Sequence, residues 1–558
     1  MTRLRARASN RLFTPLMLAG TLVVVFLVAY PIIRLVERGV RDMGVSGLVR
    51  MVQQPWFGPL LRDTFLVTMI ASVLAVVIAT LLAWLNERTD ATLGVVGSVL
   101  PLIPLFLPAV ALAIGWVMLA APRSGFVNGL LSLLPGHIEL NIYSFPGLVF
   151  VYVLTLVPYA YLPISAAFRS IDLSREEAAR VCGAGNVRVF FTVALRSVMP
   201  AVAGSFVLVA IVAFALYSVP VVLATRAQID IVAVRLVRSI TQSYPTDYNT
   251  AIGLSVFLFA VLMVLWLFQQ KTISEGRFTK VGERTEGASR TRLGGWKWVG
   301  RGMMLLYILA SSILPIGAML LVSFQAYWDP DIFGARYTMS NYTDVLSTNI
   351  SRSALENSLI LGITVGAVTV AAGLLIIVYK QHQRGWLAKV VDGIAKIPGV
   401  ISNTVLGVAF ILAFAGPPFN FGSTVWIIVI GYLVVFIPYA VISLEGSRAQ
   451  ISDSLTEAAA VNGAWEWRTI RTVVLPLMVP GIASALALLF VLMTGDLALA
   501  VLLATPRTPV IGLVLLDYWE QGSFTSVAVL SVLMTAIAAI VVAALLLLAR
   551  PRYVRRNR

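Results

Sequence analysis

Across 558 residues the chain has one cysteine, Cys182, and two histidines, His137 and His382. A lone cysteine excludes an internal disulfide framework and a thiolate metal cluster. The two histidines stand too far apart in the chain to form a zinc- or iron-type ligand pattern with a nearby Cys or carboxylate. Lysine is scarce, and none of the six follows a glycine, so the Gly-Lys-Ser/Thr of a phosphate-binding loop is missing. Gly-x-Ser-x-Gly and His-Glu-x-x-His are missing too. No catalytic residues, no resident metal and no cofactor are therefore expected, and if ATP drives this protein another subunit binds it. The deepest shortage is of charge: 12% of residues are Asp, Glu, Lys or Arg, against about 25% in ordinary soluble domains.

What fills the chain instead is apolar. Hydrophobic residues make up 59% and the mean hydropathy is +0.90, more apolar surface than a soluble fold covers. Long uncharged runs recur, each near the roughly 20 residues that a helix needs to cross a bilayer core. They predict an all-α polytopic membrane protein with about twelve transmembrane helices. The first six fall near 13–33, 64–86, 95–119, 146–168, 198–222 and 249–270. The second six fall near 302–323, 357–379, 397–415, 424–445, 478–504 and 527–549. The ninth and tenth come from one double-length run, Ile397–Leu444, divided by a turn-forming stretch from Gly416 to Gly422. The apolar stretch of the first helix exceeds the core of a signal peptide and reads as a retained span.

The net charge of +16 is concentrated at span boundaries. Residues 271–301 carry eight Lys/Arg between the sixth and seventh spans. By the positive-inside rule this is a cytoplasmic linker, with the basic ends 1–12 and 550–558 on the same side. Both termini are then cytoplasmic, although Arg34, Arg38, Arg41, Arg50 and Arg62 run against the bias. Basic residues at membrane boundaries point to orientation and anionic lipid contact, not to nucleic acid.

The chain repeats itself at an interval of 280. Val157-Pro158-Tyr159-Ala160 returns as Ile437-Pro438-Tyr439-Ala440, Glu177-Ala178-Ala179 as Glu457-Ala458-Ala459, and Gly183-Ala184 as Gly463-Ala464. Pro200 returns as Pro480, and Leu223-Ala224-Thr225 as Leu503-Ala504-Thr505. Such a repeat divides the chain into a first half, 1–275, a basic linker, 276–298, and a second half, 299–558. Six spans per half make the halves parallel, with a pseudo-two-fold axis along the membrane normal and a pathway expected between them.

The best-preserved part of the repeat is the polar loop between the fourth and fifth helices of each half, at about 169–197 and 446–477. Ser174 with Glu177, and Ser454 with Glu457, have the spacing of a capping box at the start of a short helix. About two turns later Gly183 and Gly463 offer a left-handed stop. The paired alanines keep one face small. A second short helix is expected to lead back to the membrane near Pro200 and Pro480.

Glu-Ala-Ala, a glycine six residues after the Glu, and then a hydrophobic-x-Leu-Pro resembles the EAA loop of ABC importer permeases. The second copy, ending Val473-Val474-Leu475-Pro476, fits throughout. The first ends Val193-Ala194-Leu195-Arg196, with arginine for proline, and a looser exit turn is expected there. The resemblance implies the type I importer permease fold (MetI-like). It also implies coupling to two copies of a cytoplasmic ABC ATPase, with Glu177, Ala178, Ala179, Gly183, Glu457, Ala458, Ala459 and Gly463 as the coupling residues. An extracytoplasmic solute-binding protein and a bacterial inner (plasma) membrane location follow from the same likeness. Among fused permeases the chain looks most like those for ferric iron, on Tyr244-Pro245-Thr246-Asp247-Tyr248, Asn341-Tyr342 and Asn357-Ser358-Leu359. Permeases for aminoethylphosphonate or thiamine share these short matches.

Within the spans, Asp496 interrupts the eleventh, and an intramembrane carboxylate is by default a functional candidate for the pathway. Its counterpart at the 280 interval is Leu216, so its role is one-sided. Glu356 reads as a boundary residue. Pro101, Pro104, Pro108 and Pro398 free backbone carbonyls and bend helices, which a moving pathway can use, and Phe106, Trp116 and Tyr217 are candidate pore-lining aromatics. The rival class is a secondary ion-coupled transporter. It would carry several intramembrane ionisable groups and gives no reason for two matching polar loops. A membrane-embedded enzyme would need paired catalytic groups that the chain lacks.

Overall fold

The computed structural model describes residues 2–132, 139–171, 174–275, 291–382 and 385–548. His137, the linker between 276 and 290 and the basic tail from 549 lie outside the described residues, as does the side chain of His382. Among the described residues ten helices are long and apolar enough to cross a membrane: Leu18–Met43, Phe57–Arg88, Phe145–Ser170, Asn186–Ala215, Tyr248–Lys271, Trp296–Phe324, Asn349–Gln381, Val425–Arg448, Trp467–Thr494 and Phe524–Leu548. Two bent pairs, Leu100–Phe106 with Ala109–Ala120 and Trp386–Gly399 with Asn403–Ala415, bring the total to twelve if each pair is one span. The protein is thus an all-helical membrane bundle, and helices are the form in which a chain satisfies its backbone groups in lipid.

The repeat is structural as well as sequential. Phe145–Ser170 corresponds to Val425–Arg448, Ser174–Val181 to Asp453–Val461, and Leu195–Ala215 to Leu475–Thr494. The first helix of each half packs on the opposite half. Leu18–Met43 lies against Asn349–Gln381 and the second bent pair, where the Tyr30 ring stands 5.5 Å from Phe414 and 5.8 Å from Phe419. Trp296–Phe324 lies against Ala109–Ala120. There Gly115 approaches Pro315 so closely that a β-carbon would stand 2.6 Å from it, and Trp116 donates to the Ala310 carbonyl at 2.9 Å. Small residues that admit such close backbone approach are the means by which helices associate in lipid.

The prolines of the third and ninth spans sit at real bends: the paired limbs meet at 103° and 105°. Pro108 starts the second limb of the third span and disfavours helix at Leu107. In the ninth, Pro398-Gly399 ends the first limb, and Ser402 caps the second by accepting from the Thr404 N–H. The fifth and eleventh spans do not run to 222 and 504. They stop at Ala215 and Thr494, and short helices Ser218–Ala227 and Ala498–Leu503 follow each break.

In each loop a second short helix leads back to the membrane, and Pro200 and Pro480 lie inside the spans that follow. Each loop's second short helix passes through one π-helical turn, Phe190–Ala194 or Ile470–Val474, and continues straight into its span. Arg196 therefore loosens nothing, because the first exit has the same wide turn as the second.

Candidate functional site

Two regions stand out: the pair of polar loops, and a cavity where the breaks in the spans converge.

The loop helices are Ser174–Val181 and Asp453–Val461. The second is capped two residues earlier than its capping box suggests, since the Ser452 hydroxyl, just before the helix, accepts from the Ser454 N–H. Both end as the glycines predict, with Gly183 at φ +84° and Gly463 at +76°. The residue after each glycine donates back into the helix, Ala184 to the Ala179 carbonyl and Ala464 to the Ala459 carbonyl, both at 3.0 Å. This left-handed stop satisfies carbonyls that the helix end would orphan. A β-carbon on either glycine would meet nothing within 4 Å. The backbone angle, not space, demands glycine there.

Glu177, Ala178 and Gly183 are exposed, as are Glu457, Ala458 and Gly463, while Ala179 and Ala459 are half-buried. Beside them Val181 and Val461 are each 88% exposed, and Val187 and Trp467 lie open at matching positions. Each loop thus presents the glutamate of its Glu-Ala-Ala, a small-residue face and exposed apolar side chains. Exposed apolar groups on a polar loop mark an interaction surface.

The loops differ underneath. Glu176, which the repeat did not single out because its counterpart is Thr456, points inward. One carboxylate oxygen accepts from Arg88 Nε at 3.1 Å and Nη2 at 2.5 Å, and the other from Arg180 Nη2 at 3.2 Å. Arg180 also donates to the Thr291 hydroxyl.

At the other region a cavity of about 180 Å³ is lined by both halves. Its walls follow the 280 repeat: Tyr159 with Tyr439, Ile211 with Val491, Leu216 with Asp496. All four helix breaks reach it, at Leu107-Pro108, Leu216-Tyr217, Val400-Ile401 and Gly495-Asp496. Irregular backbone at membrane depth is tolerated where it lines a cavity. The breaks also satisfy one another across the halves. Ser402 Oγ donates to the freed Ala215 carbonyl at 3.1 Å, and Gly495 comes so near Pro108 that a β-carbon would lie 3.2 Å from it.

Asp496 is the one charged side chain in this lining. Oδ1 accepts from Asn403 Nδ2 at 2.7 Å and Oδ2 from the Leu499 N–H at 2.8 Å. Sequence reading missed Asn403, which lies far from Asp496 in the chain and opens the second limb of the ninth span. Of the candidate aromatics, Tyr217 lines the cavity, whereas Trp116 packs against the seventh span and Phe106 is exposed. Glu356 is exposed and pairs with Arg352. Among the described residues no group of three His, Cys, Asp or Glu side chains is arranged to hold a metal ion.

Beyond the cavity the halves touch again. The Arg226 guanidinium lies 5.8, 5.4 and 5.7 Å from the rings of Tyr143, Trp519 and Phe524, and Gln242 donates to Glu520 at 3.0 Å. Burial pushes the Tyr143 hydroxyl up to about 12, with the Arg226 charge pulling the other way.

Residues 71–280, and again 364–558, match the family described as "binding-protein-dependent transport system inner membrane component". The chain is 24% identical over 522 residues to a putative ferric transport system permease protein, FbpB 1, of Haemophilus influenzae, covering 91% of this chain and 81% of that protein. It is also 24% identical to the ferric transport system permease protein FbpB of Actinobacillus pleuropneumoniae, covering 97% and 79%. A putative 2-aminoethylphosphonate transport system permease protein, PhnV, of Salmonella typhimurium matches at 24% over 43% of this chain and 92% of its own length. A solved bacterial alginate ABC transporter in complex with its pentasaccharide-bound periplasmic protein aligns at 21% identity and a TM-score of 0.41, over 49% of this chain and 97% of that one. With the family matched twice over most of its length, this chain belongs to the binding-protein-dependent inner membrane components, the permease subunits of ABC importers, and is a transporter subunit and not an enzyme.

Proposed function

We propose that this permease couples the closing of two copies of a cytoplasmic ABC ATPase to the passage of ferric iron, delivered on the outer face by a solute-binding protein. The observation that carries the coupling is the matched pair of loops. Two surfaces 280 residues apart expose the same Glu-Ala-Ala face, valine and left-handed glycine, and a symmetric ATPase dimer needs two equal seats. In this reading Glu177, Ala178, Ala179 and Gly183, with Glu457, Ala458, Ala459 and Gly463, contact the ATPases. The loops, both termini and the linker of 276–298 between halves 1–275 and 299–558 lie on the cytoplasmic side. The Arg226 contacts then close the outer end, and docking of ATP-loaded subunits favours the conformation in which they part.

The cargo reading rests on the full-length ferric relatives and on Asp496. A single carboxylate in a cavity of this size attracts a cation and repels an anion, because charges interact strongly away from water. That favours ferric iron over an aminoethylphosphonate, the cargo named for the half-length relatives. Asp496 is a transient contact in the pathway, not a resident metal site.

Mass spectrometry of what co-purifies with the tagged protein from mildly solubilised membranes tests the coupling. An ABC ATPase in about two copies per permease is expected from the pair of seats. A protein that emerges alone and still catalyses gradient-driven uptake after reconstitution is a secondary carrier, and the reading fails. Uptake of ⁵⁵Fe by the reconstituted complex with its captured binding protein tests the cargo. Phosphonate uptake in its place refutes it.

A further inference from the structure

The buried ion-pair chain under the first loop is continuous with the segment that joins the two halves. Arg88, the last residue of the second span, and Glu176 retain 5% and 2% of their side-chain exposure. From there the contacts pass outward to the end of the linker. Arg180 donates to the Thr291 hydroxyl, and Asn186 Nδ2 to the Arg292 carbonyl at 2.9 Å. The linker backbone is stitched to the end of the second span as well: Thr291 N–H donates to the Arg88 carbonyl at 2.9 Å and Asp90 N–H to the Thr291 carbonyl at 3.1 Å. Leu293 N–H donates to the Asp90 carboxylate at 2.9 Å. A few residues on, Arg301 of the seventh span donates to the Ala91 carbonyl.

The second loop is built otherwise. The counterparts of Glu176 and Arg180 are Thr456 and Ala460, which carry no charge, and the inter-half segment occurs once in the chain. We propose that Glu176 is a positioning residue that, with Arg88, Arg180 and the strap 291–293, holds the first docking helix at a fixed angle to the second span, while the second docking helix adjusts to its partner. A pull on the first helix is then shared between the second span of one half and the seventh span of the other. Removing one partner of a buried pair leaves an uncompensated charge, so the chain acts as a unit. This inference rests on the reading of both loops as docking helices.

The sole cysteine is a native probe of the arrangement, since Cys182 is exposed one residue beyond the first helix. A nitroxide on Cys182 of the full-length permease in lipid nanodiscs reports the first loop. A nitroxide on Asn462→Cys in a Cys182→Ser background reports the second. The Cys182 spectrum is expected to show the more restricted motion. Glu176→Gln is expected to bring it to the mobility of the second-loop label, leaving the second-loop spectrum unchanged. Thr291→Val removes one hydroxyl from the strap and serves if Glu176→Gln does not fold; it is expected to loosen Cys182 in the same direction and by less. Equal mobility of the two labels in the parent protein, or a Cys182 spectrum that neither variant changes, overturns the positioning role. The docking reading fails separately, if adding the ATPase subunit changes neither label's spectrum while their mobility difference persists.

Discussion

The two halves share a fold and spend their polar groups in different places. The first half buries its charges beneath its loop, in the chain Arg88–Glu176–Arg180, and keeps its side of the cavity uncharged, with Leu216 in the place of Asp496. The second places its carboxylate in the cavity, Asp496 against Asn403. It secures its loop-side end with a half-exposed cluster in which Lys380 and Lys396 each bridge Asp392 and Glu445. A duplicated bundle has free choice at such positions, because helix packing in lipid depends on shape and small residues more than on any one polar pair. What both halves retain at these ends is the exposed loop surface.

Four tests, by seven substitutions, probe this division, the largest expected effect first. Arg88→Met strands the Glu176 carboxylate and is expected to cost about 3–5 kcal/mol, read as a lower thermal midpoint by tryptophan fluorescence in detergent. Lys380→Met, in the half-exposed cluster, is expected to cost about 1 kcal/mol or less, because solvent screens it. Equal losses would show that the halves do not differ in this respect.

Asp496→Leu gives the second half the chemistry of the first. It orphans the Asn403 amide at an expected cost of about 1–3 kcal/mol and is expected to abolish uptake of the proposed cargo. Asp496→Asn keeps much of the shape, so a variant that regains stability without uptake separates the charge from the fold. Full uptake by the Leu variant removes Asp496 from the pathway.

Glu177→Ala and Glu457→Ala are expected to weaken ATPase capture alike, by about 1 kcal/mol each, in a pull-down titration with normal membrane insertion. A large effect from one and none from the other breaks the symmetry of the seats. Arg226→Ala is expected to be mildest, about 0.5–1 kcal/mol for a partly exposed cation over aromatic rings. It is expected to raise cross-linking accessibility between residues 226 and 519 with no change in loop-side labelling.

The loops were largely legible because their information is local. A left-handed glycine, a small-residue pair and a short helix are written within ten residues, and the structure forms both helices and both glycine stops, with the second helix capped from Ser452. The π-helical exits at Phe190–Ala194 and Ile470–Val474 were not legible, since no residue pattern in those stretches marks a π turn. Pro108 and Asp496 were visible singly as irregularities in apolar runs. That they meet, with Ser402 and Asn403, around one cavity depends on contacts between distant segments.

The sequence by itself determined the membrane class, the two parallel halves and the shape of the loops, because hydropathy, repetition and capping are properties of short stretches of chain. Only the tertiary structure decided how far the third and ninth spans bend, that the first helix of each half crosses to the other, and that Glu176, not its neighbour Glu177, is buried. Each of these turns on which surfaces meet. In a bundle where nearly every face is apolar, periodicity leaves that choice to shape and to the few polar groups that find partners far away in sequence.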